Sequence, residues 1–250
     1  MPIFAFIPSR YGSTRFPGKP LAMIAGKPMI QHAYNCAANC PDISEVYVVT
    51  DDERIFNCVE DFGGKAVMTK EKHPSGTDRI AEAVEILGLN DEDIVVNIQG
   101  DQPVFKPSLI SDMVKPLIDD KTIPMGTLKY KISDPTEINN SNIVKVVTDN
   151  NDFALYFSRW PVPFYREKPL AQDYFKHLGF YAYRKAFIIE FNRLPGGKLE
   201  NAEKLEQLRA IENGYRIKVV ETVYDSIEVD APEDIRKVEE ILKNSEIKND

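Results

Sequence analysis

The sequence predicts an α/β protein built on a mostly parallel, mixed central sheet, and three observations carry that prediction. Runs rich in β-branched residues at 3–7, 46–50, 65–69 and 94–98 read as buried strands. Amphipathic stretches alternate with them, the order expected of βαβ units. A chain of 250 residues with 43% hydrophobic content can bury a full core, and no internal repeat, low-complexity tract or linker divides it. One compact domain over 1–250 is therefore expected.

The stop and start residues place the helices. Pro28 suits the first turn of one helix, and a second over 52–62 ends at Gly63-Gly64. Ser75 or Thr77 can cap a third that runs to Leu87. After Asp101 the pattern changes to strands at 125–132, 143–148, 153–158 and 178–183, which suit a mixed continuation of the sheet. A strong helical pattern covers 199–213, a strand 217–223, and a last helix 232–243 opens with proline and acids.

Composition excludes several classes of function. A net charge of −8 leaves no basic stripe for nucleic acid. The opening MPIFAFIPSR is too short an apolar run for a signal peptide or a membrane span, so a cytoplasmic protein without a membrane partner is expected. Three cysteines, Cys36, Cys40 and Cys58, form neither a disulfide framework nor a zinc pattern.

The most informative segment is 9–28, SRYGSTRFPGKPLAMIAGKP, which lacks helical or strand periodicity. Such a stretch inside a compact domain is functional or disordered. In an acidic chain it gathers Arg10, Arg15 and Lys19 among Gly12, Ser13, Thr14, Pro17 and Gly18. Glycines let main-chain amides approach a ligand and cations neutralise phosphate oxygens, so the segment reads as a polyphosphate cradle at the carboxyl end of the first strand. It matches neither the Walker loop nor GxGxxG.

Two acids complement it. Asp101 follows the strand IVVNIQ and a glycine, where a turn aspartate is the plain alternative. Asp230 in SIEVDAPEDI precedes a proline and the last helix, where a helix cap is the alternative. A nucleoside triphosphate arrives with magnesium, which takes few protein carboxylates, so Asp101 and Asp230 are a candidate pair of ligands.

RYGSTRFPGKPL followed by GKPMI, together with QGDQP and VDAPED, resembles the 3-deoxy-manno-octulosonate cytidylyltransferase family over nearly the whole chain, from Ile7 to about Val238. The resemblance implies the three-layer α/β nucleotide-diphospho-sugar transferase fold and a homodimer. It also implies a nucleotide-binding part over about 1–120 and a sugar-binding, dimer-forming part over about 121–230. By the same resemblance Arg10, Arg15, Lys19 and Asp101 are the catalytic residues. CTP binding falls to Arg10, Ser13, Arg15, Lys19, Ser75, Arg79 and Gln99, with Thr50 and Asp51 beside the base or merely capping, and Asp101 and Asp230 hold Mg2+. Gln102 stands where the family commonly has Glu, and Glu228 is an addition, so the local charge differs.

ALYFSR, KHLGFYAY and EKLEQLR look like that family's acidic-sugar site. Arg159 could hold the sugar carboxylate bidentately, and His177, Tyr181, Glu206 and Gln207 could pair with hydroxyls. A lone His177, read without the resemblance, is more often structural. The implied reaction transfers CMP from CTP to the anomeric hydroxyl of 3-deoxy-manno-octulosonate (Kdo) and releases pyrophosphate, in the service of lipopolysaccharide biosynthesis. Asp225 and Glu228 also resemble the subset acting on 8-amino-3,8-dideoxy-manno-octulosonate (Kdo8N), whose ammonium an extra carboxylate could pair. Sialic acid cytidylyltransferase and a CTP-binding regulatory protein are the remaining alternatives.

Overall fold

The computed structural model describes residues 1–12, 16–167 and 173–246. Ser13 and Arg15 lie outside the described residues. Chain contacts group the protein into two compact units, residues 1–111 with 226–250 and residues 112–225. These units differ from the parts expected at about 1–120 and 121–230 in two stretches, 112–120, which groups with the second unit, and 226–230, which groups with the first.

In the first unit β1 (Ile3–Pro8) leads through a 3-10 turn (Lys19–Leu21) and a small antiparallel hairpin, β2 (Met23–Ile24) and β3 (Lys27–Pro28), into α1 (Met29–Ala38). There follow β4 (Glu45–Thr50), α2 (Glu53–Asp61), β5 (Ala66–Met68), α3 (Gly76–Ile86) and β6 (Ile94–Asn97). The four main strands run parallel in the order β6-β1-β4-β5. Ala5, Phe6, Ile7, Val48, Val49, Val95 and Val96 are fully buried, the near-continuous apolar run of strands covered on both faces. Pro28 stands one residue ahead of α1 as its N-cap, with φ −57°. Asp52 caps α2, and Gly63 at φ 77° ends it. Of the two candidate caps of α3, Ser75 is the one used, in a reciprocal capping box with Asp78.

The division between units falls within α4 (Ser108–Asp119), a helix that contains Pro116 and goes beyond the sequence-based expectation. The second unit continues with β7 (Met125–Lys131), α5 (Pro135–Ile138), β8 (Lys145–Thr148), β9 (Ala154–Ser158) and β10 (Phe175–Arg184). It ends with α6 (Lys185–Arg193), α7 (Lys198–Glu203), α8 (Leu208–Glu212) and β11 (Ile217–Thr222). β7 pairs antiparallel with β10 and parallel with β11, and β8 pairs antiparallel with β9 and β10. The mixed pairing agrees with the expectation; β10 starts at Phe175, earlier than predicted, because Phe175, Lys176 and His177 pair with Lys131, Tyr130 and Lys129 of β7, and a register shift falls between Leu178 and Tyr181.

The single helix expected over 199–213 is instead two. Lys204 adopts a left-handed conformation at φ 54° and ends α7. Arg159 donates from Nε to the Glu203 carbonyl at 2.6 Å and from Nη2 to the Lys204 carbonyl at 3.4 Å. Carbonyls at the C-terminus of α7 are therefore satisfied by a guanidinium rather than by a further helical turn. Helical periodicity alone carries no trace of a partner so distant in sequence.

At Ser226 the chain returns to the first unit, runs past Asp101 and ends in α9 (Asp234–Glu246). Val229 and Val238 are fully buried with Ile24 and Met29 in one apolar cluster, which fixes this last stretch to the unit.

Gly126 in β7 tests the packing of the second unit. A Cβ added there would lie 2.9 Å from the Leu117 Cδ1 and 3.2 Å from the Met113 carbonyl oxygen. Gly126→Ala is expected to destabilise the protein by ~1–3 kcal/mol, read as a lower urea midpoint at unchanged slope. An unchanged midpoint would show that α4 can retreat without cost.

Candidate functional site

The carboxyl ends of β1 and β6 and the N-terminus of α3 border a cavity of about 340 Å³ within the first unit. Arg10, Lys19, Ser75, Arg79, Gln99, Asp101 and Asp230, seven residues singled out from the sequence, all line it. This is where ligands enter open α/β sheets, at strand carboxyl ends.

Local structure explains each position. β1 hands over to Ser9, whose N–H donates to the Val49 carbonyl at 2.9 Å, and Arg10 emerges exposed into the cavity. Gly18 takes φ 70°, which turns the chain so that Lys19 opens the 3-10 turn with Pro20 behind it. The Lys19 Nζ reaches the Asp101 Oδ2 at 3.0 Å. The Ser75 hydroxyl donates to the Asp78 carboxylate at 2.8 Å, so Ser75 both caps α3 and borders the cavity. The N-terminal amides of α3 also offer partial positive charge to an anion.

Arg79 is buried and anchored: Nη1 donates to the Thr69 hydroxyl at 2.6 Å and Nη2 pairs with Asp51 at 3.2 Å. Asp51 thus acts on the cavity through Arg79, and the Thr50 hydroxyl accepts from the Asp52 N–H at 3.2 Å at the start of α2. His73 was not anticipated. It lines the cavity with its Nε2 2.6 Å from the Glu82 Oε2, and no spacing in KEKHPSGTDR signals a pairing made across a helix turn away.

Three carboxylates converge at one side. Oxygens of Asp101, Glu228 and Asp230 lie within 4.8 Å of one another. Glu228 and Asp230 flank buried Val229 on an extended stretch, so alternation turns both acids to the same side. The N–H groups of Asp230 and Ala231 both donate to the Asp234 Oδ2 at 3.0 Å, and Asp230 lines the cavity. An all-oxygen, acidic donor set fits a hard divalent cation such as Mg2+.

The residues expected at a sugar site all fall in the second unit. The Arg159 guanidinium donates to three main-chain carbonyls, of Ser141, Glu203 and Lys204, so the fork expected for a substrate carboxylate is here spent on the protein's own backbone. His177 Nε2 lies 2.9 Å from the Thr127 Oγ1, whose hydroxyl hydrogen is directed to the Phe180 carbonyl at 2.7 Å. The imidazole is then the donor in that contact and its Nδ1 an acceptor. Burial pushes the His177 pKa down to about 3. The neighbouring Tyr181, with ring centroids 5.2 Å apart, has its pKa raised well above the usual value by burial and then by Glu206. Glu206 lies 3.7 Å from Arg209, and buried Gln207 precedes α8 as its N-cap. Asp225 pairs with Lys176 at 2.7 Å.

A cytidylyltransferase family model matches residues 4–219. The 3-deoxy-manno-octulosonate cytidylyltransferase of Syntrophus aciditrophicus is 55% identical over 240 residues, covering 96% of this chain and 97% of the relative. The 8-amino-3,8-dideoxy-manno-octulosonate cytidylyltransferase of Shewanella pealeana is 54% identical, covering 94% and 96%. Among solved structures, CMP:2-keto-3-deoxy-manno-octonic acid synthetase complexed with CTP superposes with a TM-score of 0.92 at 40% identity, covering 98% of this chain and 100% of that one.

The neutral, buried His177 has a consequence for stability. Its folded-state pKa of about 3 lies below the unfolded value near 6.5, so between those limits the unfolded chain binds more protons. Stability is therefore expected to fall as pH drops from 6.5 towards 3, and His177→Gln to remove part of that slope. Chemical unfolding of both proteins across this range checks it; parallel curves would mean that His177 protonates without cost.

Proposed function

Because the chain belongs to the cytidylyltransferase family, we propose that it transfers CMP from CTP to the anomeric hydroxyl of Kdo and releases pyrophosphate, supplying the activated sugar for lipopolysaccharide biosynthesis. The observation that carries the reading is the 3.0 Å approach of Lys19 to Asp101 in one cavity with Arg10, Glu228 and Asp230. Cations for a triphosphate and oxygens for its metal stand side by side.

In the proposed reaction the C2 hydroxyl oxygen of the sugar bonds to the α-phosphorus, the bond to the β-phosphate bridging oxygen breaks, and the hydroxyl proton passes to solvent. Arg10 and Lys19, with Arg15, offset the charge that builds on the transferring phosphorus and the departing pyrophosphate. Ser75, Arg79 and Gln99, with Ser13, hold the nucleoside and its phosphates in register. Asp101 and Asp230 hold Mg2+, with Glu228 as a further oxygen donor. Magnesium, when bound, supplies Lewis-acid neutralisation of phosphate charge. His177, Tyr181, Glu206 and Gln207 are assigned to the sugar, and Arg159 supports them by fixing the end of α7.

Among the described residues no contact favours the amino sugar. Asp225 is already neutralised by Lys176, and Glu228 faces the other two carboxylates. The proposal keeps a cytoplasmic homodimer; exposed Trp160 and Phe164 in the second unit support an apolar contact between copies. No described helix is long and apolar enough to cross a membrane.

The deciding measurement is Mg2+-dependent pyrophosphate release from CTP with Kdo, Kdo8N or sialic acid as acceptor. Release with Kdo is expected; preference for either other acid would reassign the sugar, and CTP binding without release would favour a regulatory protein. Asp101→Asn and Asp230→Asn are each expected to lower kcat at least about a hundredfold with the fold intact by circular dichroism. Near-normal turnover in either would remove it from the metal site.

Glu228→Gln is expected to do less. It should raise the Mg2+ concentration for half-maximal rate several-fold, and weaken Mn2+ binding followed by electron paramagnetic resonance, with CTP affinity little changed. Unaltered Mn2+ binding would take Glu228 out of the ligand set.

A further inference from the structure

The segment proposed to carry the triphosphate begins and ends on a contact of its own. The Gly18 N–H donates to the Tyr11 carbonyl at 3.0 Å, which draws together the two residues adjoining Arg10 and Lys19. Gly18 sits at φ 70°, and a Cβ there would lie 3.1 Å from the edge of the Tyr11 ring, so the ring packs against the glycine backbone. A larger residue at 18 would be excluded twice, by the left-handed backbone and by the ring.

The same ring carries a cation. The Arg54 guanidinium carbon stands 3.3 Å from the Tyr11 ring centroid. Asp52 holds that guanidinium with two bonds, from Nε at 2.9 Å and from Nη2 at 2.6 Å, the parallel fork that fixes a guanidinium plane. Asp52 is itself immobilised as the N-cap of α2, where it accepts the Arg54 N–H at 3.0 Å. A continuous chain of contacts therefore runs from α2 through Asp52, Arg54 and Tyr11 to Gly18 and so to Lys19.

We infer that Asp52, Arg54 and Tyr11 form a brace that positions Arg10 and Lys19 for the triphosphate. Arg54 is not among the residues lining the cavity, so the role inferred for it is that of a positioning residue. The inference rests on the proposed function for the identity of the ligand, while the brace itself is a property of the protein alone. Its effect is to hold the cations in the bound arrangement before CTP arrives, which reduces the ordering cost of binding.

Two readouts separate the brace from the functional reading. The first is hydrogen exchange at the Gly18 amide in protein without ligand, expected to quicken in Tyr11→Leu and Arg54→Ala and to return to the starting rate in Tyr11→Phe, which keeps the ring. The second is the affinity and KM for CTP. Both are expected to weaken about three- to tenfold in Tyr11→Leu and in Arg54→Ala, the range of one cation–π contact, with kcat at saturating CTP changed much less. The double variant should be no weaker than the worse single one, because both remove the same contact.

Unchanged exchange, unchanged KM, or fully additive losses would each overturn the inference. A starting protein that fails to bind CTP would instead overturn the proposed function, with the exchange measurement still deciding whether the brace exists. A variant that unfolds is recognised by circular dichroism, and Arg54→Ala, at an exposed position on α2, then carries the test.

Discussion

The Val229 N–H donates to the Asp101 carbonyl over 2.9 Å, and an antiparallel bridge between Val104 and Ile227 extends that pairing. Two acidic motifs more than a hundred residues apart in the chain are thereby set in a fixed register beside the exit of β6. Because side chains alternate along an extended strand, this register turns Glu228 and Asp230 to one side and sends Val229 into the apolar cluster with Ile24, Met29 and Val238. A slip of one residue would bury two carboxylates and expose the valine. Hydrophobic burial of Val229 thus holds the oxygen donors where they are.

Electrostatics then shapes what this arrangement can bind. Three carboxylates with oxygens within 4.8 Å of one another repel, and Lys19 at 3.0 Å from Asp101 relieves part of that repulsion. Arg10 and the N-terminus of α3 add positive character along the same cavity. A ligand that brings both anionic oxygens and a divalent cation satisfies the two halves at once. A bare anion meets the carboxylates, and a bare cation meets Lys19.

The second unit uses its polar groups differently. Arg159 caps α7, Glu203 accepts from the Ser158 hydroxyl at 3.1 Å and the Arg159 N–H at 2.9 Å, and buried Lys145 donates to the Asn140 carbonyl at 2.8 Å. These bonds satisfy groups that burial would otherwise penalise. His177 and Tyr181 are held neutral by burial in the same unit, which suits them to hydrogen bonding with hydroxyls more than to charge pairing.

The sequence by itself determined the parallel strands of the first unit, because their β-branched runs and bounding caps are local signals set by backbone propensity. It also determined the chemistry of the cavity, since Arg10, Lys19 and Asp101 are carried by motifs at strand ends. Tertiary structure alone decided that one helix over 199–213 becomes two, because the capping guanidinium of Arg159 arrives from another element. It decided as well that His73 faces the cavity against Glu82, that Glu228 joins Asp101 and Asp230, and that Arg54 lies on Tyr11. The physical reason is common to all four. Propensity and alternation act over a few neighbouring residues, whereas a side chain's partner is fixed by where distant segments pack, and no local pattern encodes that distance.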